Sequence, residues 1–279
     1  MIQIIADTLS CISPDEAKKM GIPLLPQIVI FGEKSYRDDS EINAIQFLEK
    51  ARVSREFPST AAPAPALYNP IFKKIAEKKD TALVICPSAK VSGTFQSVEK
   101  AANEFPGADI RIVDTQLLAA GLGTVVEHAH QCVEVGMTAD ETIAEVLKLS
   151  QKNRTLVLVD TLEFLKRGGR IGAASAFIGG LLDMKPILAF RNGQIEPVEK
   201  QRTKKKALLR IKEMITADCA RDDSAHLIIM HGDAIQEAEK LASELKSELG
   251  IKNVKIIFPP PAILTHSGPG VLAISYFTN

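Results

Sequence analysis

Hydroxyl side chains around a glycine at a helix start make a seat for an anion, and Val91-Ser92-Gly93-Thr94-Phe95-Gln96-Ser97 is such a segment. Gly93 lets another group approach the backbone closely. The helix start offers free N–H groups and partial positive charge, to which Ser92 and Thr94 add hydrogen bonds. A carboxylate or phosphate suits this seat; an ordinary serine N-cap explains it about as well. A second segment, TLEFLKRGGRIG over 161–172, sets Arg167 and Arg170 around a glycine turn where they could fix an anion. It reads equally as a helix C-cap with a turn joining two domains. No G-x-x-x-x-G-K-[ST] run occurs, so it is not a nucleotide P-loop. A third, Thr265-His266-Ser267-Gly268-Pro269-Gly270, puts a histidine in a Gly/Pro loop, where it can donate to an anion or act as a base.

Other residues promise less. Gly121 and Gly123 match part of a dinucleotide fingerprint, but Val126 stands at the third glycine and helix packing explains them better. His128 and His130 are two apart on a helix and do not share a face. No metal site is expected from the histidines, or from Cys11, Cys86, Cys132 and Cys219, which contain no Cys-x-x-Cys pair. The dense basic run from Lys200 to Lys212 reads first as a solvated helix face. Its functional reading is a docking surface for a partner or an anionic membrane.

The elements that must position these groups alternate. Ile2 to Ala6, Leu24 to Phe31, Thr81 to Cys86 and Ile110 to Val113 read as strands. Helices are expected from Pro14, capped by Ser13; from Ser40 to about Arg52; over 66–78 and 93–103; and over 117–135 and 139–153. Phe57 to Pro65, with three prolines, reads as a rigid loop. This is the pattern of a Rossmann-like parallel sheet, which binds ligands at the carboxyl ends of its strands. Asp7, Ser88 to Thr94 and Asp114 fall at such ends. After residue 155 the rhythm becomes α+β: strands from Leu156 and Ala225, a hairpin around Asn192-Gly193, a basic helix capped by Thr203, and a last strand after Pro269. Ala173 to Leu182 is apolar on nearly all sides and should be buried or line a cavity. The expected division is therefore 1–155, a parallel α/β domain, and 156–279, a smaller α/β domain.

Composition excludes several classes. Among 279 residues, 34 are basic and 34 acidic, so bulk charge gives no support for nucleic-acid binding. The 46% hydrophobic fraction is ample for a packed core. No apolar run approaches the ~18 residues that span a bilayer. No signal peptide is visible, and a cytoplasmic protein is expected.

Taken in order, these motifs resemble the DegV family of bacterial fatty-acid-binding proteins over essentially the whole chain. Its marks are Asp7-Thr8, the loop around Thr60, Ser92 to Ser97, Asp114-Thr115, TLEFLKRGGRIG with GGLLDMKPIL after it, Arg202-Thr203, and His266 to Gly270. The resemblance implies two domains with a tunnel between them holding one long-chain fatty acid and no other cofactor. It implies that Thr60 and Ser92, with Gly93 and His266, meet the carboxylate, and that Arg170 and Arg202 lie near the head group or a partner surface. It further implies delivery of the acid to a fatty acid kinase for acyl-phosphate formation and phospholipid synthesis, with transient membrane contact and no nucleic acid. Candidate tunnel walls are Phe95, Phe177, Ile178, Leu181, Leu182, Leu188, Phe190, Ile263 and Leu264. One departure stands out: the family's loop often reads Thr-Ser-Gln-Pro-Ser, and here it is Thr60-Ala61-Ala62-Pro63-Ala64.

Two other functions compete with a non-enzymatic carrier. Ser92, His266 and Asp7 or Asp114 could form an acyl hydrolase triad, although Ser92 lacks the G-x-S-x-G elbow. A nucleotide-binding regulator rests on the parallel sheet alone.

Overall fold

The computed structural model describes residues 1–54, 56–177 and 184–279. The apolar run Ile2–Asp7 (β1) opens the chain. Ser13 then caps Pro14–Lys19 (α1) in a reciprocal capping box with Glu16. Pro26 divides what the sequence presents as one strand. Leu24–Leu25 (β2) pairs parallel with β1, whereas Ile28–Phe31 (β3) leaves for another sheet. There β3 is the centre of a three-stranded antiparallel sheet, between Lys34–Arg37 (β4) and Ser59–Ala61 (β5). The proline loop thus contains a strand: Ser59 to Ala61 lie between Pro58 and Pro63, and all three keep an N–H for the ladder. Asn43, not Ser40, caps Ala44–Val53 (α2), because Gln46 stands three residues on and completes the box.

A single turn of 3₁₀ helix over Pro65–Leu67 precedes Asn69–Lys78 (α3). Thr81–Cys86 (β6), Thr94–Ala102 (α4), Asp109–Asp114 (β7), Ala119–Glu134 (α5) and Ala139–Lys152 (α6) follow. The parallel sheet runs β2-β1-β6-β7. Alternate residues of one strand go to opposite faces. Ala82 and Val84 of β6 meet Phe72 and Ile75 of α3 and Val98 of α4, whereas Leu83 and Ile85 join Leu122 and Val125 of α5.

The second, six-stranded sheet runs β10-β9-β8-β13-β11-β12 and is antiparallel except between its last two strands. Its strands are Asn153–Leu158 (β8), Lys185–Arg191 (β9), Gln194–Gln201 (β10), Ile228–His231 (β11), Lys255–Ile257 (β12) and Leu272–Phe277 (β13). β8 takes the chain into this sheet from Asn153, so residue 155 lies within the strand. The short helix Glu163–Arg167 (α7) follows β8; Lys204–Asp218 (α8) and Ile235–Leu249 (α9) cover one face of the sheet, and Pro261–Ser267 (α10) precedes β13. The opposite face, with Val157, Val159, Leu188 and Phe190, joins the core of the parallel half. At the hairpin Asn192-Gly193 both residues have positive φ, 50° and 77°, as a primed turn requires.

Three of the seven basic side chains of the run are paired within the fold. Lys204 meets Glu237 at 2.9 Å, Lys212 meets Glu244 at 3.2 Å, and Arg210 meets Glu199 at 3.1 Å. Much of the charge on α8 is thus neutralised by α9 and β10. The expectation of burial from Ala173 onward fails where it can be seen: over Gly172–Phe177 only Ala174 is buried, because alanine and serine bring little apolar area to bury. Ile178, Leu181 and Leu182 lie outside the described residues. No helix among the described residues is long and apolar enough to cross a membrane.

Candidate functional site

A cavity lies where the carboxyl ends of the parallel strands face the side of the six-stranded sheet turned away from α8 and α9. It holds about 1060 Å³ of empty space with its open mouth included, and its walls stand close together along most of it. The cavity is a narrow slot, not a bowl. Thr155, Val157 and Val159 line it from β8 and its end, Phe190 from β9, and Ala262 and Ile263 from α10. Leu156 and Leu158, between them on β8, belong to the core under α8 and α9.

The expected head-group residues enter the slot from three places in the fold. β5 supplies Thr60, held in register opposite Val29 of β3. The last turn of α10 supplies His266, whose Nε2 lies 2.8 Å from Thr60 Oγ1. The turn before α4 supplies Ser92 and Gly93. The histidine expected in a loop is therefore helical: Pro260 and Pro261 start the helix and Gly268 stops it. Burial, then the nearby Arg170 guanidinium, pushes the His266 pKa down to about 4, so the ring is neutral at pH 7. Its Nδ1 is buried and has no hydrogen-bond partner. It packs against Gly168, where a Cβ would strike it.

Ser92 rests on a buried network. Its Oγ lies 3.0 Å from Thr94 Oγ1, which donates to Asp7 Oδ2 at 2.6 Å. Gln27 Nε2 donates to Asp7 Oδ2 at 2.7 Å and to Thr94 Oγ1 at 3.0 Å. Asp7 has no water contact, and burial outweighs these hydrogen bonds, raising its pKa to about 6. Asp38 accepts from Thr8 and from the Gln27 backbone N–H on Oδ1, while Oδ2 is buried without a partner. Burial raises Asp38 to about 7 against those bonds, and the Asp7 charge adds to the rise.

Thr60, Ser92, Gly93, His266, Arg170 and Ile263 all reach the slot wall. Arg170 spends Nε on the Val91 carbonyl at 3.0 Å and Nη1 on Gly168 at 2.7 Å, tying the glycine turn to the Ser92 loop. Arg202 is exposed between β10 and α8 and does not reach the wall. Phe95 is corrected as a wall residue: it lies on the other side of the parallel sheet with Tyr68 and Phe72. Leu188 is fully buried in the core behind the wall, as is Leu264, and Phe177 packs on that core under Lys200. Phe190 does line the slot.

The triad does not assemble. His266 pairs with Thr60 instead of Ser92, Asp7 pairs with Thr94, and Asp114 holds the backbone of Gln116 and Ala89. Among the described residues no group of three His, Cys, Asp or Glu side chains could hold a metal ion. Missed from sequence were Gln27, Leu118, Ala119, Thr155, Val157, Val271 and Ala273. Thr155, Val157 and Val159 carry a period-2 signal, but the intervening leucines are equally apolar and hide it.

Fold and site define an α/β protein with a narrow apolar cavity between two sheets and hydroxyls on its wall. The chain belongs to the DegV family: the family model, described as "Uncharacterised protein, DegV family", matches residues 1–279. A DegV domain-containing protein of Halalkalibacterium halodurans is 32% identical over 277 residues, 99% of this chain and 98% of that one. One from Streptomyces coelicolor is 33% identical over 275 residues, 98% and 97% of the two chains. Among solved structures, a DegV family protein of Thermus thermophilus, described by its fatty acid binding, superposes with a TM-score of 0.89 at 31% identity, covering 100% and 99% of the two chains. DegV of Bacillus subtilis, described as a fatty acid binding protein, gives 0.86 at 28% identity with the same coverage.

Proposed function

We propose that this chain binds one long-chain fatty acid in the slot, with the tail among the β8, β9 and α10 side chains and the carboxylate at Thr60 and Ser92. The observation that carries this reading is a narrow apolar cavity whose wall includes two hydroxyls and a neutral imidazole. A tail with ~15 buried methylenes at about 0.8 kcal/mol each gains about 12 kcal/mol. Association and chain ordering take back several kcal/mol. The tail supplies affinity and the head group supplies orientation. Ala61, Ala62 and Ala64 leave Thr60 as the hydroxyl that this loop brings to the slot, and Ala62 reaches the slot beside Gly93.

The carrier makes no covalent change to its cargo. In support, the Ser92 hydroxyl has no histidine base and the His266 ring has no carboxylate to orient it. The carboxylate is presented to a fatty acid kinase, which forms the acyl phosphate used in phospholipid synthesis. Exposed Arg202 fits the docking surface of that exchange better than the head-group site. Calorimetric titration of delipidated protein with palmitate tests the binding. One site per chain is expected; no uptake of palmitate, stearate or oleate would overturn the reading.

A further inference from the structure

We propose that Asp7 is a positioning residue for the head group: it sets the direction of the Ser92 proton and takes up one proton when an acid binds. This inference rests on the fatty-acid reading of the slot.

It starts from counting protons. The Thr94 hydroxyl has a single proton, and at 2.6 Å that proton goes to Asp7 Oδ2. Thr94 can therefore only accept from Ser92, whose Oγ lies 3.0 Å away. The Ser92 proton is thereby spent inside the protein, and its oxygen also accepts from the Thr94 backbone N–H at 3.2 Å. Toward the slot, Ser92 then shows a lone pair. A carboxylate is acceptor-only, so it meets an acceptor where it needs a donor.

One proton on Asp7 Oδ2 reverses the chain. The acid O–H of Asp7 donates to Thr94, Thr94 turns its proton to Ser92, and Ser92 turns its proton to the bound carboxylate. A proton from water forms the new Asp7 O–H bond, the two hydroxyls only rotate, and no bond between heavy atoms changes. The site takes in one anion and one proton together, which keeps two like charges from sharing a water-free region. The surroundings favour this exchange. The titratable groups that face Asp7 are Asp38 after β4, Cys11 after a 3₁₀ turn over Thr8–Ser10, Tyr68 before α3 and Cys86 on β6. None of these is a cation. Burial already lifts Asp7 to about 6.

Calorimetry of palmitate binding in phosphate and in Tris buffer, which differ in ionisation enthalpy, counts the protons exchanged. At pH 7 the wild type should take up close to one proton, and its affinity should fall about tenfold per pH unit above that of half-ionised Asp7. In Asp7→Asn the amide N–H imitates the protonated acid, so uptake should vanish and affinity should become flat with pH. Thr94→Val breaks the relay by a separate route and should also abolish the uptake. Uptake should persist in Asp38→Asn and in His266→Gln, whatever their affinity. Binding without proton uptake in the wild type overturns the proposal. So does uptake that survives in Asp7→Asn, which places the proton on the imidazole, on Asp38 or on the fatty acid. Absence of palmitate binding in the wild type sinks the fatty-acid reading itself, a different failure.

Discussion

At the scale of single residues, the site depends on few groups and each is open to test. Ser92→Ala removes one hydroxyl from the slot wall. Palmitate binding should weaken roughly tenfold to a hundredfold, the size of one hydrogen bond to a charged acceptor, and titration reads it directly. Asp38 gives a pH test of stability. Its folded-state pKa is raised to about 7 from an ordinary 3.8, so the fold is favoured when Asp38 is protonated and loses that advantage as pH rises through 7. Asp38→Asn should therefore melt higher than the wild type at pH 8, and the gap should close as pH falls from about 7 to 3.8. Equal melting temperatures at pH 8 would contradict this. Residue types at Ser92 and His266 were readable as chemistry, Thr60 entered only through the family resemblance, and the wall contains all three. The bonds between them were not: Thr60 and His266 are 206 positions apart, and no local pattern announces their contact.

Elements turn these residues into a site, and the long ones were read correctly in kind while two short ones, β5 and α10, were read as loops. The apolar runs of β1 and β6 are legible because a parallel strand buried on both faces reads as a near-continuous hydrophobic stretch, whereas β7, DIRIVD at the sheet edge, is mostly half-buried and shows only as Ile110, Ile112 and Val113 around Arg111. The strand β5 was not legible, because prolines on both sides read as a loop and three residues carry too little pattern. The end of α7 shows how one element serves another. Gly168 has an ordinary helical φ of −75°, so an alanine there adds no backbone strain. Its Cβ would strike His266 Nδ1, so Gly168→Ala should push the ring off Thr60 and weaken palmitate binding roughly tenfold, the worth of one hydrogen bond. Adding Gly168→Ala to His266→Ala should cost nothing further, since the group it displaces is gone. A further loss in the double variant would show that the glycine acts through some other contact.

At the scale of the whole molecule, the slot exists because the two sheets present different faces to each other. α8 and α9 take one side of the six-stranded sheet, and the parallel half takes the other. That arrangement was legible only through the resemblance of the motif order to a known family, since composition and periodicity do not say which apolar face stays partly uncovered. Ligand filling the slot should stabilise both halves together. At palmitate a hundred times its dissociation constant, the folded state gains about 2.7 kcal/mol, and the melting temperature should rise with concentration as one transition. An unchanged melting temperature at saturating palmitate would place the ligand outside the fold.

The most direct measurement is native mass spectrometry of the purified chain without added lipid, followed by release and identification of any bound molecule. The mass should exceed that of the polypeptide by one long-chain fatty acid, and the same increment should be reduced in a Thr60→Val, Ser92→Ala double variant. A polypeptide that carries no acid as purified and gains none when palmitate is added would contradict the account.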